Sequence, residues 1–80
     1  MNQVTATVHV FIEIERNRQV KLEFENPSVT GRQIKEKAEI SLDDDLALRV
    51  GQKLELITNE QQVVLKNGEH FVALPPGTIS

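Results

Sequence analysis

The chain has 80 residues, a formal net charge of −3 and no cysteine. So short a chain forms one domain around one core, burying only about 60–65% of its unfolded surface, and leaves no room for a deep catalytic cleft. The mild acidity gives no basic footprint for nucleic acid, three Phe with no Trp or Tyr supply few stacking platforms, and the missing thiols exclude disulfides, thiolate metal sites and a cysteine nucleophile.

Apolar residues make up 39% of the chain, enough for a folded domain. No segment approaches the 18 or so continuous apolar residues that a membrane span needs. Met1-Asn2-Gln3 begins no basic, signal-like region, so the expected compartment is the cytoplasm.

Val4, Ala6, Val8, Val10, Ile12 and Ile14 fill every even position from 4 to 14. Period-two alternation of this length predicts a strand with a buried even face and a largely wet odd face. Arg16-Asn17-Arg18 is a polar break, and Val20, Leu22 and Phe24 then alternate with polar residues. The two runs read as an antiparallel hairpin, with Asn17 the expected residue of positive φ. Asn26-Pro27-Ser28 ends the second strand. Thr30 and Gln33 have the spacing of a capping box, with Val29 as a staple residue, and predict a helix over about 31–39. Ile34 and Ala38 put a narrow apolar stripe on one face of that helix.

Asp43-Asp44-Asp45 suits a solvated loop, because calcium loops spread their ligands and bend at a glycine. Leu46, Leu48 and Val50 predict a third strand, Gly51-Gln52-Lys53 a turn, and Leu54–Ile57 a short fourth strand or an edge. Val63-Val64-Leu65 is apolar, Asn67-Gly68 is a strong turn signal, and Phe71–Leu74 is the last strand. The order is hairpin, helix, strands, final strand. It predicts an α+β, β-grasp domain over 1–74: a mixed four- to five-stranded sheet with one helix packed across it. The final strand is expected beside the first, in parallel, because the intervening chain supplies the long crossover.

After Leu74 come Pro75-Pro76-Gly77-Thr78-Ile79-Ser80. Proline fixes φ and lacks an N–H, so Pro75 and Pro76 should stop the strand and favour extended polyproline geometry. Gly77 has no side chain to obstruct entry into a narrow channel. Residues 75–80 therefore read as a stiff tail that presents a glycine. The plain alternative is a frayed terminus.

Three segments carry a resemblance. They are Thr30-Gly31-Arg32-Gln33-Ile34-Lys35-Glu36-Lys37-Ala38 leading to Ile40-Ser41-Leu42-Asp43, then Asp45-Leu46-Ala47-Leu48, then Val64-Leu65-Lys66-Asn67-Gly68-Glu69-His70-Phe71 with Pro75-Pro76. Over about residues 8–77 the chain resembles ubiquitin-like proteins, and more narrowly the bacterial multiubiquitin-type family. Two departures stand out. Family members often carry tandem domains, and this chain has one. Ubiquitin ends in a double glycine, whereas Gly77 stands alone behind two prolines, which weighs against an ordinary eukaryotic activating enzyme.

The resemblance implies a protein modifier in a bacterial conjugation pathway, with relatives in operons that look like antiviral defence against phage. It implies activating-enzyme-like, conjugating-enzyme-like and deubiquitinase-like peptidase partners, and a target protein. On that reading Pro75, Pro76, Gly77 and Thr78 are the conjugation and processing residues. Phe11 lies on the otherwise polar face of the first strand, and Val72 or Leu74 would neighbour it if the end strands pair; the three form the expected docking surface. Chemistry would belong to the partners. The chain shows no nucleophile–base pair, and it is read as a non-enzyme without cofactor or metal, its two histidines, His9 and His70, being surface residues. Any of Lys21, Lys35, Lys37, Lys53 and Lys66 is a formal acceptor for chain linkage. The rival readings are a non-conjugated binding module, a sulfur carrier (disfavoured by the missing terminal Gly-Gly) and a module that self-associates through sheet edges.

Overall fold

A computed structural model describes residues 7–14 and 18–77. In chain order the elements are β1 (Val8–Ile14), β2 (Arg18–Phe24), β3 (Ser28–Thr30), α1 (Gly31–Ala38), β4 (Asp45–Val50), β5 (Lys53–Ile57), β6 (Gln62–Val64) and β7 (Glu69–Leu74). Five of the strands form one mixed sheet in the order β2-β1-β7-β4-β5, and β3 pairs with β6 in a separate two-stranded sheet. β1 and β7 are parallel, while the other pairs are antiparallel. This is the predicted α+β, β-grasp-like architecture, with the last strand beside the first.

The alternation in β1 does what its period requires. Val8, Val10, Ile12 and Ile14 are buried, and His9, Phe11 and Glu13 are half-buried on the other face. Leu22 and Phe24 join them from β2, Leu46 from β4, Ile57 from β5, and Phe71 and Ala73 from β7. Ile34 and Ala38 of α1 close the same cluster. Residues 15–17, where a turn with Asn17 at positive φ is expected, lie outside the described residues.

The helix starts where the sequence indicates. The Thr30 N–H donates to Gln33 Oε1 at 2.8 Å, and the Gln33 N–H donates back to Thr30 Oγ1 at 3.2 Å, completing the capping box. Val29 and Ile34, the staple positions, both sit in the core. Two further free amides of the first turn find partners in the 58–61 turn: Gly31 N–H donates to Gln61 O at 3.1 Å and Arg32 N–H to Asn59 O at 3.0 Å. At the other end Glu39 takes φ 61° as a left-handed cap, and its N–H donates to the Glu36 carbonyl.

The small β3–β6 sheet is not apparent in the sequence. Ser28–Thr30 follows the expected strand end and is too short for alternation to show. Its pairing with Gln62–Val64 is extended by Leu65 N–H donating to Pro27 O at 2.8 Å. Among the described residues no helix is long and apolar enough to cross a membrane.

Candidate functional site

Two regions are candidates: the outer face of the large sheet and the segment after β7.

On the outer face, register decides which side chains meet. Phe11 stands opposite His70 on β7 and opposite Lys21 on β2. The Phe11 and His70 rings stack, with centroids 5.3 Å apart and an interplanar angle of 22°. His9 Nδ1 lies 3.4 Å from Glu23 Oε2, and Lys21 Nζ lies 3.8 Å from the same oxygen. The His9 Nδ1 approach to Glu23 lacks hydrogen-bond geometry.

Val72 stands between Glu13 of β1 and Ala47 of β4. An Arg49 guanidinium nitrogen lies 3.6 Å from Glu13 Oε1, so the pair reaches across β7 beside Val72. Val72 is only 6% exposed. The expectation that Val72 presents an aliphatic surface next to Phe11 is therefore corrected: neighbouring side chains close over it. Leu74 is half-buried opposite Asp45, at the far end of β7 from His70. Phe11 and Leu74 do not form one patch, and the ring that accompanies Phe11 is His70.

Exposed aliphatic surface on this face lies elsewhere. Leu54 and Leu56 on β5 are 39% and 44% exposed. They stand beside Arg49 and Ala47 respectively. The sequence reads Leu54–Ile57 as a short fourth strand or an edge and does not single out its leucines. All four residues from Lys53 to Leu56 are exposed, so alternation there does not mark a buried side.

At the end of β7, Pro75, Pro76 and Gly77 are exposed. The chain bends at Pro75 and turns at Pro76–Gly77, which corrects the expectation of a straight polyproline stalk. Gly77 has φ 82°, a left-handed value that glycine adopts without steric cost. A Cβ built on Gly77 would meet nothing within 4 Å, so the glycine stands in open space. Thr78 lies outside the described residues.

The aspartate run forms a tight loop. Asp43 N–H donates to Ser41 Oγ and Asp44 N–H to the Ser41 carbonyl, both at 3.1 Å. The Leu42 carbonyl accepts from Lys35 Nζ and from Asn59 Nδ2, each at 3.1 Å. Lys35 is only 4% exposed, which removes it from the lysines a modifying enzyme can reach; Lys21, Lys37, Lys53 and Lys66 are exposed.

The chain matches no known family model, and neither the curated proteins nor the solved structures contain a match to it.

Proposed function

We propose that the chain is a ubiquitin-like protein modifier of a bacterial conjugation pathway. A peptidase partner cleaves after Gly77, ahead of Thr78. An activating-enzyme-like partner adenylates the Gly77 carboxylate with ATP and displaces the adenylate with a cysteine thiol to give a thioester. A conjugating-enzyme-like partner then passes the acyl group to a nucleophile on a target protein. This chain supplies the acyl group and the handle, and the partners supply the catalysis. The observation that supports the reading is the exposed Pro75–Gly77 segment, with open space around Gly77 where an enzyme channel would close.

Intact mass after incubation with a candidate deubiquitinase-like peptidase tests the first step. The expected product ends at Gly77, and a chain that keeps its full mass removes the processing step. Gly77→Glu is expected to abolish conjugates altogether, read as the loss of higher-mass bands in a denaturing gel, while the domain unfolds at the same temperature.

The Phe11–His70 ring pair is the proposed anchor for a partner on the outer face. Truncating a central aromatic contact typically costs about 2 kcal/mol or more, a roughly 30-fold loss of affinity. Phe11→Ala is expected to weaken binding of the activating partner by that factor, measured by calorimetry. Unchanged affinity in a folded variant would move the docking surface elsewhere.

A second reading, a non-conjugated binding module with an inert tail, draws on the turn. The φ of Gly77 already gives the glycine a structural reason to be there.

A further inference from the structure

The large sheet has two edges of different character. β2 exposes Arg18, Gln19, Lys21 and Glu23, while its Leu22 and Phe24 are buried. Charged edges of this kind resist pairing. β5, at the opposite edge, exposes Leu54 and Leu56 with one charge of each sign, Lys53 and Glu55.

The backbone of β5 is set for pairing. Val50 and Lys53 stand opposite each other across the two-residue turn Gly51-Gln52, and Gly51 has the φ of 62° that such a turn uses. The pair that closes a two-residue turn exchanges its N–H and C=O groups. Along an antiparallel ladder such bonded pairs alternate with non-bonded ones. Leu54 and Leu56 fall in the non-bonded positions opposite Arg49 and Ala47, so their N–H and C=O groups point away from β4. They lie on the free edge of the sheet.

We infer that the β5 edge is a self-association surface, and that its occupant is β5 of a second copy of this chain, antiparallel and centred on Leu54. Charge selects the register. Centring on Leu54 sets each leucine 54 against its counterpart and each Lys53 against Glu55 of the second copy, twice across the dyad. Centring on Glu55 also satisfies the backbone, but it sets Glu55 against Glu55, and like charges directly opposite are destabilising. In the Leu54 register the outward amides and carbonyls of Leu54 bond reciprocally. The leucines of both copies form one apolar stripe on the outer face, and the sheet continues from one molecule into the next. The strand is short, so the dimer is weak and its population follows concentration. The inference does not rest on the modifier reading, and its test does not involve the tail.

Sedimentation equilibrium over a concentration series of the full chain tests it. The wild-type chain is expected to move from monomer toward dimer mass. Lys53→Glu and Glu55→Lys are each expected to weaken the dimer about tenfold, since each turns two opposite-charge pairs into like-charge pairs. The combined Lys53→Glu/Glu55→Lys chain is expected to regain wild-type association. These side chains are exposed, so thermal unfolding of the variants should match wild type and exclude a folding effect. Three results would overturn the inference: a chain that stays monomeric at every concentration, a dimer indifferent to both single reversals, or a tighter dimer on Glu55→Gln, which would mark the Glu55-centred register.

Discussion

Gly31→Ala is expected to destabilise the domain by about 3 kcal/mol, the upper range for forcing an atom into a packed site. Gly31 is the first residue of α1 and is buried. A Cβ built there overlaps the Thr58 carbonyl oxygen and sits 3.0 Å from the Thr58 carbonyl carbon and 3.1 Å from Ile57 Cγ2. The obstacle is backbone, so no side chain can rotate away. Thr58 O also accepts from Gln61 N–H at 3.2 Å, and that turn in turn supplies the carbonyls that cap the helix amides of Gly31 and Arg32. Relief of the overlap therefore pulls the turn off the helix. Gly51→Ala is the informative control. Its φ is positive but its surroundings are open, so only the left-handed penalty of about 1 kcal/mol applies. At roughly 4–8 °C per kcal/mol for a domain of this size, thermal melts should separate the two variants clearly. Equal melting temperatures would show that the 58–61 turn yields at little cost.

Phe71→Ala is expected to unfold most of the population at 25 °C. Phe71 is the largest of the fully buried side chains, at 1% exposed. It lies mid-strand in β7, between Ile12 of β1 and Leu48 of β4. Truncating a buried Phe costs about 3–5 kcal/mol through lost transfer energy and the cavity left behind. A core of this size rarely supplies more than about 3–5 kcal/mol in total, so the loss is comparable with the whole stability. Far-ultraviolet circular dichroism and amide dispersion in proton spectra report the outcome. Phe71→Leu leaves a much smaller void and is expected to remain folded with a lowered midpoint. A Phe71→Ala chain that melts as wild type does would mean that α1 and the sheet collapse into the void.

The fold was legible because its main elements obey strong local rules. Val8, Val10, Ile12 and Ile14 have a period that only a strand satisfies, and Thr30 with Gln33 marks a helix start by its own hydrogen bonds. The parallel β1–β7 pair followed from the length of chain between the two strands. The β3–β6 sheet escaped because three-residue strands have no visible period, and the partners are brought together by the helix and the 58–61 turn rather than by a hairpin.

The candidate surface was partly legible. Alternation placed Phe11 on the outer face. Its neighbour depends on the β1–β7 register, which no short turn fixes, and that register brought His70 rather than Val72. Val72 has the right parity for exposure, but a Glu13–Arg49 pair that spans three strands is invisible before the strands are ordered. The Pro76-Gly77 turn was the opposite case, since Pro before Gly already signals a turn and polyproline stiffness was the weaker cue.

The middle of the sheet joins the first described strand to the last one: Ile12 sits against Phe71, with nearly all of the described chain looped between them. Closing so wide a loop costs entropy before any burial repays it. Neither β1 nor β7 has a complete set of neighbours without the other, so a nascent chain lacking β7 carries the exposed apolar edge of β1 as it emerges from the ribosome. Docking of β7 against β1 is therefore expected to set the folding rate of the domain.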